Sequence, residues 1–237
     1  MSRWGRFAGV AALVTVALGC YAGAATVTAH VVVARTTGGR PQNADTVVWL
    51  SPLQPDPYSF GEPVRPARLV QKNKTFEPHL LVVRTGSVVE FPNEDPFFHN
   101  VFSLFEGKRF DLGLYEAGST RSVRFDRPGI SYIFCNIHAQ MGAVVIAVDT
   151  PYYAISIRNG SITMPNVPPG KYILQLWREG SSPKVLNGLR REVVITDGEA
   201  SLGSLRITED ELPVAHKNKY GRDYEDVPPA NSAYPQP

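Results

Sequence analysis

Cys135-Asn136-Ile137-His138-Ala139-Gln140-Met141 gathers a thiol, an imidazole and a thioether within one short run, and a second imidazole stands upstream in Phe97-Phe98-His99-Asn100. Two imidazoles and a thiolate in a plane, with a thioether as weak axial donor, form the donor set of a mononuclear blue copper site. Soft sulfur favours copper, Cu(I) above all, and imidazole suits Cu(II). A site that holds both states in one geometry passes single electrons. Zinc is the main chemical rival, but structural zinc sites use cysteine and histidine almost alone, and methionine points to copper. A binuclear copper centre needs a second cysteine in the loop, and a multicopper oxidase needs further His-x-His pairs; the sequence has neither.

Taken singly, each donor has a plainer role. A lone cysteine at a strand end is most often a small buried apolar residue, and a methionine before an apolar strand is most often core. An isolated histidine commonly holds a loop by hydrogen bonding. His79 is read that way, and His30 and His216 have no ligand spacing around them. Cysteine usage weighs against the plain reading of Cys135. The chain has two cysteines, and Cys20 falls within an expected signal peptide over residues 1–25. Arg3 and Arg6 make a basic start, Phe7 to Leu18 is apolar but short for a bilayer, and Ala22-Gly23-Ala24 matches an A-x-A pattern. Cleavage is expected after Ala24 or Ala25, with export to a periplasm or the exterior. Leu18-Gly19-Cys20 resembles part of a lipobox, but Ala17 stands where leucine is usual, so a lipid anchor at Cys20 ranks second. The exported chain would keep one cysteine where thiols normally pair, which signals a reactive thiol, an intermolecular disulfide or a metal ligand. With His138 and Met141 beside it, the ligand role is preferred.

Charge excludes some partners. Without Arg3 and Arg6 the basic count falls from 24 to 22, against 22 acidic residues. No basic patch or arginine run argues for nucleic acid, and no further apolar stretch of transmembrane length follows residue 25. The 20 prolines and 20 glycines sit mostly between short β-branched runs, so many turns and few helices are expected. Residues 26–50 read as two strands about the tight loop Thr37-Gly38-Gly39-Arg40-Pro41, and 51–66 as a proline-rich linker. Eight strands follow, at 68–72, 79–83, 87–91, 100–104, 110–114, 120–125, 130–134 and 143–148. Strands this short and this regularly spaced indicate an all-β sandwich or barrel. His99 then opens one strand and Cys135 closes another, and loops on a rigid sandwich are where such sites belong.

Phe76-Glu77-Pro78, Gly86-Ser87-Val88-Val89-Glu90-Phe91, Asn93, Asp95, His99-Asn100-Val101, Pro128-Gly129, Cys135, His138 and Met141 together resemble a cupredoxin of the plastocyanin/amicyanin kind. The resemblance covers residues 64–149. It implies a Greek-key sandwich holding one type 1 copper, with His99, Cys135, His138 and Met141 as ligands. Asn100 would brace the two ligand loops by hydrogen bonding and so tune the copper–sulfur bond. The Cys-x-x-His-x-x-Met spacing is similar to the short amicyanin loop, apart from Asn136 and Ala139. By the same resemblance the electron passes through the exposed edge of His138, with Phe97, Phe98, Ile137 and Ala139 as an apolar patch for a redox protein partner.

Val167-Pro168-Pro169-Gly170-Lys171-Tyr172 resembles the carboxypeptidase-regulatory, transthyretin-like β-sandwich, whose opening strand, Gly-x-Pro turn and second strand are matched before the copper segment. Neither flank has strands enough to bury two faces alone. Residues 26–63 with 150–207 are therefore expected to form one discontinuous sandwich, interrupted by the cupredoxin at 64–149. Residues 191–195 and 201–207 would supply a closing hairpin. After Thr208 the chain turns polar and proline-dotted, and 208–237 is expected to be a disordered tail. Related sandwiches sometimes bind carbohydrate, but a structural role is the default here. Catalysis is weakly supported: Cys135 and His138 suggest a nucleophile and base, but a cysteine behind copper cannot attack a substrate, and Glu90, Glu94, Asp95 and Asp111 read as turn or solvated-face residues. The function expected is one-electron transfer in the cell envelope. The alternatives are a copper carrier without fast redox, or an envelope module binding glycan or protein with an accessory copper site.

Overall fold

The computed structural model describes residues 23–35, 42–54, 65–104, 107–210 and 216–224. Residues 1–22 of the expected signal peptide, with Cys20, the Thr37–Pro41 loop and most of the proline-rich linker lie outside these residues, and Ala25, the last residue of that expected segment, opens the first strand. Two strands, β1 (Ala25–Arg35) and β2 (Val47–Pro52), come first. A central run follows: β3 (Ala67–Arg68), β4 (Val70–Lys72), β5 (Thr75–Glu77), β6 (Leu80–Arg84), β7 (Val88–Pro92) and β8 (His99–Ser103). It continues through β9 (Phe110–Tyr115), β10 (Thr120–Arg124), β11 (Gly129–Phe134) and β12 (Gly142–Val148). Last come β13 (Tyr153–Ile155), β14 (Ser161–Val167), β15 (Gly170–Trp177), helix α1 (Pro183–Leu189), β16 (Arg191–Ile195) and β17 (Glu199–Glu209). The chain is all-β apart from that one short helix among the described residues.

In the central run, the sheets β10-β7-β3 and β6-β12-β11-β8-β9 face each other. Alternate side chains fill the space between them: Val89 and Phe91 of β7, Val123 of β10, Ile133 of β11 and Val145 of β12. Cys135 and Met141 belong to the same buried cluster. The strand expectations hold here to within a residue or two, except that 68–72 divides into β3 and β4 and that β5 was not expected. Strands such as β7 and β11 show the period of two that a one-sided core imposes. The short hairpin β4–β5 completes the unit.

The remaining strands build a second pair of sheets, β14-β1-β17 and β13-β2-β15-β16. Along β1, Val27, Ala29, Val31 and Val33 point inward to meet Leu50, Ile162, Met164, Leu174, Leu205 and Ile207. Two local expectations change. Strands β1 and β2 do not pair with each other; β1 lies between β14, antiparallel, and β17, parallel, while β2 joins the opposite sheet. Likewise β16 and β17 divide between the two sheets instead of closing as a hairpin. Successive strands that cross from one layer to the other cover each other's apolar faces, which a lone two-stranded hairpin cannot do.

Helix α1 was not expected. Ser182 caps it by accepting from Val185 N, and Pro183 occupies the first turn. The seam between the two units is apolar: Val144, Ile146 and Val148 on the outer face of β12, with Val82, meet Val47 and Trp177. Strand β12 is thus covered on both faces, and every residue after Gly142 is buried. That is why it reads as a continuous apolar run instead of an alternation. Of the expected tail, Thr208 and Glu209 extend β17, and residues 216–224 pack on the central unit. No helix among the described residues is long and apolar enough to cross a membrane.

Candidate metal centre

Strands β8 and β11 pair antiparallel through Phe102 and Phe134. This brings His99, at the start of β8, beside Cys135, immediately after β11. The segment from Cys135 then turns back on itself. Cys135 N donates to Met141 O (3.3 Å) and Met141 N donates to His138 O (3.1 Å). The turn returns the His138 ring to Cys135.

Three donor atoms converge as a result. Cys135 Sγ lies 3.6 Å from His99 Nδ1 and 3.6 Å from His138 Nδ1, and the two Nδ1 atoms are 3.2 Å apart. The centre of that triangle is about 2.0 Å from each corner, the length of a metal–imidazole bond. His99 and Cys135 are fully buried and His138 is half-buried. Among the described residues this is the group of His, Cys, Asp and Glu whose donor atoms cluster as a metal site would require. Met141, also fully buried, ends the same loop.

The protonation state follows from the surroundings. His99 Nε2 lies 2.8 Å from Asp95 Oδ2. A carboxylate accepts only, so Nε2 carries the proton and the Nδ1 lone pair faces the centre. Burial pushes the His99 pKa down despite the pull of Asp95. Burial, His99 and Lys74 hold His138 down to about 4. The inward Nδ1 lone pair of His99 lies 3.2 Å from His138 Nδ1; with the His138 proton on Nε2, both lone pairs face one point, where a cation would bridge them. Burial also pushes the Cys135 thiol up, while the backbone N–H groups of Asn100, Ile137 and His138 point at the sulfur and favour the thiolate. The donor set and its spacing fit a soft or borderline metal.

Asp95, read from the sequence as a turn or solvated-face residue, contacts the candidate site directly. It accepts from Asn73 N at 2.6 Å and Lys74 N at 2.9 Å. These two residues form the β4–β5 turn and both have left-handed backbones, with φ of 53° and 57°. The mirror-image turn suits a tight hairpin, and here it aims two N–H groups at one carboxylate. Burial opposes ionisation of Asp95, yet the Lys74 N–H, the His99 ring and the Asn73 N–H together keep its carboxyl below the ordinary range. A clue lay in the Asp-x-x-x-His spacing, but four residues across a loop impose no contact.

The other expected residues divide. Asn100 is buried beside His99, but its side-chain amide donates to Asp111 Oδ1 (2.7 Å), not to the Cys135 loop. Phe97 is half-buried, with its ring 5.1 Å from that of His99 and 5.7 Å from that of His138. It covers the imidazoles and does not belong to an exposed patch. Phe98 and Ile137 are 42% and 41% exposed, and Ala139 is exposed beside His138.

No protein-family model matches the chain, and no curated protein matches it. Several solved structures are similar to part of it. A purple cupredoxin from Nitrosopumilus maritimus is 20% identical over 35% of this chain and 99% of its own, with a TM-score of 0.32. Amicyanin from Paracoccus versutus is 19% identical over 36% of this chain and 84% of its own, with a TM-score of 0.33. A copper-containing nitrite reductase from Thermus scotoductus is 22% identical over 50% of this chain and 28% of its own, with a TM-score of 0.35.

Proposed function

We propose that this chain is an exported blue copper protein that carries single electrons, with His99, Cys135, His138 and Met141 as the copper ligands. The observation that best supports the reading is the convergence of Cys135 Sγ and two inward Nδ1 atoms on one point. The bound copper would supply the Cu(II)/Cu(I) couple. Asp95 would hold the His99 ring in one tautomer, and the N–H groups around Cys135 would offset part of the cost of burying its thiolate. A site fixed by so many buried contacts changes little between the two oxidation states, which favours fast electron transfer over release of the metal. The same burial argues against nucleophilic catalysis, since no substrate reaches Cys135.

The electron would pass at the half-buried His138, framed by Phe98, Ile137 and Ala139, to a redox protein partner. Residues 26–63 and 150–207 would form a second domain around the inserted 64–149. That division is supported by strands from both flanks sharing the sheets β14-β1-β17 and β13-β2-β15-β16. Export would rest on the signal peptide at 1–25. Voltammetry of the copper-loaded chain tests the electron-carrier reading: a reversible one-electron couple supports it. Sluggish redox, together with hand-over of copper to an apo acceptor, would replace it with the carrier.

A further inference from the structure

Asn136 follows Cys135 as Asn100 follows His99, yet the two side chains do not meet. Asn100 Nδ2 donates to Asp111 Oδ1 at 2.7 Å, and Asp111 Oδ2 receives Lys219 Nζ at 2.7 Å. Lys219 N in turn donates to Asn136 Oδ1 at 2.9 Å. Five residues on, Tyr224 OH donates to Cys135 O at 2.6 Å. A polar segment far beyond the sandwich thus touches both residues at the start of the ligand loop.

We propose that residues 216–224 act as a strap that completes the brace between the two ligand segments, with Lys219 and Tyr224 as positioning residues for Cys135. The link runs Asn100–Asp111–Lys219–Asn136, with the Tyr224 hydroxyl as a second clamp on the adjoining peptide. What seats the strap is local chemistry, not an apolar stripe. His216 stacks on Phe134 with ring centroids 3.9 Å apart and planes at 21°, and Tyr224 meets His216 edge-on at 5.2 Å. Asn218 Oδ1 accepts from the N–H groups of Tyr220 and Arg222 at 3.0 and 3.1 Å, which curls the strap around Gly221, itself left-handed at φ 74°. The Lys219 side chain is only 21% exposed, so its ion pair with Asp111 is better shielded than an ordinary surface pair.

The consequence falls on the sulfur. Holding Cys135 O and the Asn136 side chain fixes the first peptide of the loop. The next N–H groups, of Ile137 and His138, are two of the three aimed at Cys135 Sγ, the third being that of Asn100. Hydrogen bonding around a cysteine ligand is one of the levers on a copper site. The strap would therefore set the number and angle of donors on the thiolate from outside the domain that carries it. Its spectroscopic arm rests on the copper reading above; its structural arm does not.

The test uses the full chain with Tyr224→Phe, Lys219→Met, the double variant, and Lys219→Arg as the charge-conserving control. Amide hydrogen exchange of the metal-free protein should quicken over residues 135–141 by about fivefold per lost hydrogen bond, while strands β1 and β17 exchange as before. In the Cu(II)-loaded protein the thiolate absorption band should move in the double variant and stay in place with Lys219→Arg. Unchanged exchange in the double variant would overturn the strap, as would acceleration spread evenly over the chain. If exchange responds locally but the wild-type protein shows no thiolate band, the strap stands and the copper reading falls.

Discussion

Two regions of the molecule use histidine in opposite charge states. At the donor trio, burial pushes His99 and His138 toward the neutral form, and Asp95 turns one lone pair inward. At the seam, His79 is raised, first by its hydrogen bond to Glu179 and against the cost of its own burial. Its Nδ1 lies 3.1 Å from Gly142 O and its Nε2 lies 2.8 Å from Glu179 Oε2. Both partners accept only, so both ring nitrogens must be protonated. Gly142 directly follows Met141, so the two regions sit one peptide apart. Position relative to donors and acceptors, more than residue type, decides whether an imidazole here is a metal-seeking base or a cationic tie.

The sharpest way to break this contrast is at Asp95. Asp95→Ala removes the partner of His99 and leaves the Asn73 and Lys74 N–H groups without their acceptor. A stability loss of about 3 kcal/mol is expected in urea unfolding, with metal affinity down by roughly 10- to 100-fold in a competition titration. Affinity unaffected by Asp95→Ala would mean that the carboxylate serves only the hairpin turn. A change on the open side should behave differently. Ile137→Glu should keep the colour and slow transfer to a natural redox partner about tenfold, by placing a charge in an apolar contact. Equal rates in stopped flow would remove His138 and its neighbours from the docking face.

The smallest effect belongs to the seam. His79→Gln should cost only about 0.5 kcal/mol, because both side chains of the pair are more than half exposed. Its folded pKa lies above the ordinary 6.5, so the contribution is complete below pH 6.5 and is lost as pH rises through the folded value. Glu179 is held below its ordinary value and stays ionised across that window. Unfolding curves of wild type and variant should therefore differ near pH 6 and converge in alkali. A constant difference at all pH values would show that His79 acts by packing alone.

Sequence patterning marked the central strands and the candidate donor residues for the same reason: both signals are local. A period of two marks β7 or β10, and Cys135, His138 and Met141 fit one short turn. What local patterning hides is pairing at long range. Nothing near β1 announces a parallel neighbour at β17, and turn signals made hairpins of strands that the structure divides between layers. Helix α1 carried a readable Ser182-Pro183 start, but it is short and buries no residue fully, so it has no apolar stripe. Asp95 and Lys219 were hidden differently. Charged residues in polar stretches look solvated until the fold supplies a ring nitrogen for one and a carboxylate for the other.

The most direct test of the central claim is the visible and electron-paramagnetic-resonance spectrum of the Cu(II)-loaded protein, recorded beside Cys135→Ala. An intense blue or green band with narrow hyperfine splitting, absent from the variant, is the predicted result. A pale tetragonal copper spectrum that persists in Cys135→Ala would contradict it.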